Sequence, residues 1–257
     1  MIQVEVLGTS ITGVTLEEAV NLLDKCVVAK ADSYVCFCEA HLNVQGLIDP
    51  FARNALDHAA YVFPDGVSMT LGARIGGKSL PARLSGPDIM LAYMQHGVSS
   101  GRRHYLLGGG EGVAEQVKRR LEDEVTGISI VGTFTPPFRE MTEEEMGSLK
   151  QQMNELNVNV LWVALGAPKQ ELWMHNNAAF LEVPLMLGVG AAFDFHAGVR
   201  KRAPSWIRAI GFEWLYRMFT GGRRVFFRNL RFESAFVYYI LKDWVMRQFG
   251  KIRLPRR

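Results

Sequence analysis

The chain has 257 residues, 48% hydrophobic and 11% aromatic, enough to build one large domain, or a domain of about 200 residues with an extension. Charged residues make up 21%, which excludes a disordered chain. The net charge of +3 hides a division: residues 199–257 carry 15 Lys/Arg against 3 Asp/Glu, whereas residues 1–198 carry 14 against 23.

The chain starts Met1-Ile2-Gln3-Val4-Glu5-Val6, without the basic start and long apolar stretch of a signal peptide. No uncharged run approaches the ~18–20 residues of a transmembrane helix, so a cytoplasmic location is expected. Helical periodicity runs over 15–29, followed by an apolar strand at 34–38. That strand holds Cys36 and Cys38 on one face, and Cys26 lies in the helix before it. An odd number of cysteines without a framework points to reduced thiols, and without a second Cys/His cluster the pair reads as core packing rather than a metal site. Helices are predicted over 40–48 and 51–60, a strand at 61–63, and a helix over 87–98 opened by Pro87-Asp88. Strands at 104–107, 128–132, 158–165 and 184–189 then alternate with helices over 111–123, 142–156 and 168–180. Thr142 with Glu145 has the spacing of a capping box. Continuous apolar strands alternating with helices imply an α/β fold, a Rossmann-like and mostly parallel sheet with helices on both faces. Residues 1–198 are expected to form this catalytic, nucleotide-sugar-binding domain, and residues 199–257 a basic helical appendage.

In such a fold ligands bind where strands end, so four loops are expected to line one cleft. Pro64-Asp65-Gly66 is either a plain turn or a turn that presents Asp65 as a general base. Arg83 either holds a diphosphate or sugar hydroxyl, or forms a salt bridge with Asp65 or Asp88. Gly108, Gly109 and Gly110, with Gly112, form a tight turn or a phosphate-contacting loop. A nicotinamide site is disfavoured, because the glycines do not fit G-x-G-x-x-G and the next strand ends Val131-Gly132-Thr133 without an acid. Gln170 opens a helix after Pro168, where its amide can reach the cleft. Asp194, between two aromatics, needs a partner, either a ligand donor or a backbone cap. The histidines lack metal spacing and no D-x-D pair is present, so no metal or other cofactor is expected, and arginines are expected to neutralise a leaving diphosphate.

From residue 198 onward Arg and Lys are mixed with Phe, Tyr and Trp, a composition suited to the plane of an anionic leaflet. An ordinary helical subdomain is the competing reading. Nucleic acid is not expected as a partner, since no reader module is present. A homo-oligomer is left open.

Together these stretches resemble the WecG/TagA/CpsF family of bacterial glycosyltransferases. The resemblance is carried by Phe63-Pro64-Asp65-Gly66, Arg83-Leu84-Ser85-Gly86, Leu165 to Glu171, Gly188 to Phe195 with Ala197-Gly198, Arg202-Ala203-Pro204, and Glu213-Trp214-Leu215-Tyr216-Arg217. It implies an inverting, metal-independent transfer from a UDP-sugar to an undecaprenyl-diphosphate-linked sugar, by an enzyme peripheral to the inner face of the cell membrane. It further implies Asp65 as base, Arg83 and Gln170 as donor or leaving-group contacts and Asp194 as a nucleotide contact. Arg217, Arg224 and Arg228 become the appendage arginines facing the diphosphate. Where the family usually has Thr-x-Asn, this chain has Phe37-Cys38-Glu39. A carboxylate there repels a uronic-acid donor and hydrogen-bonds the hydroxyls of a neutral sugar, so a hexose or N-acetylhexosamine is expected, with Glu39 also a candidate to share the catalytic work of Asp65. A nucleotide-dependent oxidoreductase and a non-catalytic membrane scaffold of polysaccharide assembly are the alternatives.

Overall fold

The computed structural model describes residues 1–209 and 211–248, the side chains of residues 208, 209, 217 and 224 excepted. In chain order the elements begin with β1 (Ile2–Val6), β2 (Thr9–Gly13), α1 (Leu16–Ala29), β3 (Ser33–Cys38), α2 (Ala40–Ile48), α3 (Pro50–Asp57) and β4 (Tyr61–Pro64). There follow α4 (Gly66–Ile75), α5 (Gly86–Gly97), β5 (Arg103–Gly108), α6 (Val113–Glu124), β6 (Ser129–Phe134) and α7 (Glu143–Glu155). The last are β7 (Val160–Ala164), α8 (Lys169–Leu181), β8 (Leu185–Gly188), α9 (Ala192–His196), α10 (Ser205–Ala209), α11 (Glu213–Thr220) and α12 (Gly222–Gln248). Six strands form a parallel sheet in the order β4-β3-β8-β7-β5-β6, flanked by helices. The expected α/β fold is therefore the one that forms, and every predicted strand overlaps one of these six.

Four elements escaped prediction. β1 and β2 pair antiparallel, with Val4 opposite Ile11, through a two-residue turn in which Leu7 and Gly8 both have positive φ (48° and 80°). Such a turn matches the twist of a hairpin, but Leu-Gly is a weak turn signal and each strand has only five residues. α4 starts directly at the turn-like Pro64-Asp65-Gly66, and α9 is only five residues long. The capping box is present as read, with Glu145 N–H donating to Thr142 Oγ1 at 3.2 Å and Thr142 N–H to Glu145 Oε2 at 2.8 Å.

The chain divides into two compact units, one of residues 1–15, 37–85 and 202–257, the other of residues 16–36 and 86–201. In the first, α12 packs on α2 and α4, burying Phe232, Phe236 and Ile240. These three recur every four residues and so form one face of the helix. Gly72 of α4 permits the contact: a Cβ there would lie 3.2 Å from both Ile240 Cδ1 and Phe236 Cζ, and 2.7 Å from Val6 Cγ1.

In the second unit Tyr93, Tyr105 and Trp162 are fully buried around β5 and β7. His104 shares their interior with no exposed surface, and its Nδ1 accepts from the Trp162 indole N–H at 3.2 Å. Its Nε2 therefore carries the proton, and no acceptor meets it among the described residues. Burial, aided by the charge of Arg102, pushes the His104 pKa down to about 3. The unfolded chain therefore takes up this proton first, and the stability present above the ordinary value of 6.5 is lost as pH falls toward about 3. Between pH 7 and pH 5 this residue should remove about 2 kcal/mol of unfolding free energy. His104→Gln, which keeps an acceptor for the indole, should lose that component in urea unfolding. Equal pH dependence in the two proteins would refute the assignment.

Candidate active site

Within the first unit, β3 and β4 each lead straight into a helix, and each junction residue is acidic. Asp65 N–H donates to the Cys38 carbonyl at 2.8 Å, which seats the end of β4 beside the end of β3. Glu39 is the N-cap of α2 and Asp65 the N-cap of α4, both in extended conformation, and neither side chain caps its helix. The Ser68 hydroxyl instead accepts from Ala40 N–H at 3.2 Å. Gly66 has φ +80°, and a Cβ on it would lie 3.9 Å from the Cβ of Glu39, so the two junctions are close neighbours. The positive end of each helix favours an ionised carboxylate at its N-cap.

Leu84 N–H donates to the Pro64 carbonyl at 2.8 Å, bringing the half-buried Arg83 to the same strand end. Among the described residues Arg83 forms no ion pair, so the salt-bridge reading of this guanidinium is not what the structure contains. Arg202 joins the same strand end from the start of the basic tail. Its Nη2 donates to Ser85 Oγ at 3.2 Å and its Nε lies 3.7 Å from Glu213 Oε1, linking α11 to the loop of Arg83. Phe37 does not stand at the ligand edge. It is buried, with its ring 5.9 Å from that of Phe63, on a strand covered on both faces.

α12 brings a second set of residues to Glu39. The Phe232 ring lies 4.2 Å from that of His41, in the first turn of α2. Burial lowers the His41 pKa; the charge of Glu39 opposes this and that of Arg228 adds to it. His41 thus lies within the electrostatic reach of both groups. Arg228 is half-buried and donates through Nε and Nη2 to Asn229 Oδ1 at 3.3 and 3.2 Å. The side chains of Arg217 and Arg224 lie outside the described residues, although their backbones belong to α11 and α12. His41 carried no motif, and only the packing of α12 reveals it.

In the second unit the ends of β5, β7 and β8 meet. Gly108 has φ +107°, and a Cβ on it would come within 2.5 Å of the Ala164 carbonyl oxygen, so this glycine is required by strand approach. Gly109 N–H also donates to the Ala164 carbonyl, at 2.9 Å, and is thereby engaged. Gly110 is exposed, ahead of α6, whose N-cap is Gly112. Gln170 is buried and stitches the loops together. Its Nε2 donates to the Gly188 carbonyl and to Glu171 Oε1, both at 2.8 Å, while its Oε1 accepts from Gly166 N–H at 3.2 Å. This amide holds backbone in place and leaves one acceptor lone pair for other use. Asp194 has the partner its surroundings demand: Arg200 Nε lies 3.2 Å from Oδ2, and Arg200 N–H donates to the Asp194 carbonyl at 3.0 Å. His196 Nε2 donates to the Pro87 carbonyl at 3.1 Å, a structural bond. Among the described residues no three His, Cys, Asp or Glu side chains are gathered to hold a metal ion.

Comparison with known proteins identifies the family. The model of the glycosyl transferase WecG/TagA/CpsF family matches residues 4–250. One relative is the N-acetylglucosaminyldiphosphoundecaprenol N-acetyl-beta-D-mannosaminyltransferase of Bacillus subtilis (strain 168), 27% identical over 165 residues. That alignment covers 64% of this chain and 62% of the relative, less than two thirds of its length. The protein of the same name from Bacillus spizizenii strain W23 is 23% identical over 210 residues, covering 82% of this chain and 79% of the relative. The pair of acidic strand ends, the arginine beside them and the loops stitched by Gln170 occur on a chain that belongs to the WecG/TagA/CpsF family of glycosyl transferases.

Proposed function

We propose that this protein transfers a hexose or N-acetylhexosamine from a UDP-sugar to a sugar carried on undecaprenyl diphosphate, in the synthesis of a cell-surface polymer. The observation that carries the reading is the acidic junction of β3 and β4, where Asp65 and Glu39 sit side by side at helix N-caps without capping them. In the proposed step Asp65 takes the proton of the acceptor hydroxyl. The hydroxyl oxygen forms the new bond to the sugar's anomeric carbon as the bond to the diphosphate breaks, and the bonding electron pair leaves with UDP. A single displacement of this kind inverts the anomeric centre and needs no covalent intermediate. The developing diphosphate charge is met by Arg83 and by Arg217, Arg224 and Arg228, without a metal. Gly110, Gln170 and Asp194 serve the nucleotide side, with Gly108 and Gly109 shaping the loop. Relatives named for transfer to N-acetylglucosaminyldiphosphoundecaprenol support the acceptor class.

The enzyme is further proposed to work at the cytoplasmic face of the membrane, with residues 199–257 as the associating segment. Among the described residues no helix is long and apolar enough to cross a membrane. α12 nevertheless exposes Phe227, Leu230, Val237, Tyr238, Leu241 and Trp244. At 100° per residue these fall within an arc of roughly 120°, edged by Arg231 and Lys242 and separate from the buried face. A band of this kind suits the headgroup region of an anionic leaflet.

Three outcomes test these proposals. Asp65→Asn should reduce turnover by about 100-fold or more with UDP binding retained; a full rate in that variant would remove Asp65 as base. A screen of UDP-sugars against a short polyprenyl-diphosphate sugar, scored by product mass, should yield neutral-sugar products, and turnover of UDP-uronates alone would overturn the role given to Glu39. Val237→Asp with Leu241→Asp should weaken binding to phosphatidylglycerol vesicles by at least about tenfold while leaving the buried face of α12 intact. Unchanged sedimentation with vesicles would remove the membrane role of this face.

A further inference from the structure

We infer that Arg202 is a positioning residue: its guanidinium clasps Ser85 and Glu213 together, and so holds the loop of Arg83 against the start of the basic tail. Its consequence for catalysis rests on the transferase reading, whereas the clasp itself does not.

Arg202 Nη2 donates to the hydroxyl of the buried Ser85 at 3.2 Å, and Arg202 Nε lies 3.7 Å from Glu213 Oε1. Both members of this ion pair are largely withdrawn from water, their side chains 22% and 14% exposed, so solvent and salt screen it less than a surface pair. Ser85 follows Leu84, whose N–H donates to the Pro64 carbonyl at 2.8 Å, and Pro64 precedes Asp65. Hydrogen bonds therefore run from Arg202 through Ser85 and Leu84 to the end of β4, with Arg83 beside them in the chain.

A separate contact grips the same junction. Gly211, buried and with φ +83°, lies so close to α4 that a Cβ on it would stand 2.8 Å from Val67 Cβ, two residues beyond Asp65. Arg202 and Glu213 flank Gly211 in the chain, and their pairing ties together the ends of the segment that carries it. The two arginines of this corner differ in charge balance. Arg202 has Glu213 beside it, whereas Arg83 forms no ion pair among the described residues. That difference suits Arg83 to an anionic ligand and commits Arg202 to holding the loop. A planar guanidinium donates in two fixed directions at once, which an ammonium on a flexible stem does not reproduce.

Arg202→Lys and Ser85→Ala test this in the full chain. Each should speed hydrogen exchange at the Leu84 amide of the unliganded protein by about tenfold, the effect of one lost hydrogen bond. Each should also lower kcat/KM by about tenfold, and the two together should cost little more than either alone, because they remove one contact. In an Arg83→Gln background, Arg202→Lys should change kcat/KM by less than about twofold, since Arg202 acts through Arg83. A general loss of stability, or direct contact of Arg202 with substrate, would instead make the two losses multiply. Leu84 exchange at the wild-type rate in either variant, or multiplying losses with Arg83→Gln, would overturn the assignment. If exchange quickens as expected and the wild type transfers no sugar, the clasp stands and the transferase reading falls.

Discussion

The hydrogen bond from Asp65 N–H to the Cys38 carbonyl, 2.8 Å long, aligns the ends of two strands so that the residue after each becomes a helix N-cap. Much of the first unit follows from that alignment. The two helices start side by side, their positive ends favour negative charge at one edge, and acidic side chains occupy both cap positions. The Ser68 hydroxyl, not Glu39, accepts from the first N–H of α2. Leu84, bound to the Pro64 carbonyl, then brings Arg83 to the same place.

A different constraint shapes the second unit. Parallel strands β5 and β7 approach so closely at their ends that only glycine fits at position 108. Gln170 then ties the loop after β7 to the end of β8 through hydrogen bonds to Gly166 and Gly188. A buried amide satisfied in this way rigidifies what it touches. Loops at the ends of parallel strands present backbone to ligands, and their value depends on being held still. Gln170 and Gly108 contribute through that rigidity. Gly110 is the exposed member of the glycine run.

The basic tail combines two physical roles on one helix. One face of α12, with Phe232, Phe236 and Ile240, completes the core of the first unit. A second face stays apolar and exposed beside cations. Periodicity marks a helix with apolar residues on more than one face, but it does not say which face meets protein. The packing of α12 on α2 and α4 settles that, and sets the Phe232 ring against His41 in the first turn of α2.

Local chemistry made the sheet, most helices, the capping box and the strand-end motifs legible, because each depends on residues close in sequence. The run of Val160 to Ala164 needs no distant partner to be recognised as a buried strand, nor does Thr142 with Glu145 as a helix start. Partnerships across the chain were beyond such reading. Phe37 turned inward against Phe63, and Arg202 reached both Ser85 and Glu213. The sequence alone thus determined the α/β class, the candidate acid at position 65 and the basic character of the tail. Only the tertiary structure decided which side chains meet, since contacts such as that of the Phe232 ring with His41 join residues nearly 200 positions apart in the chain.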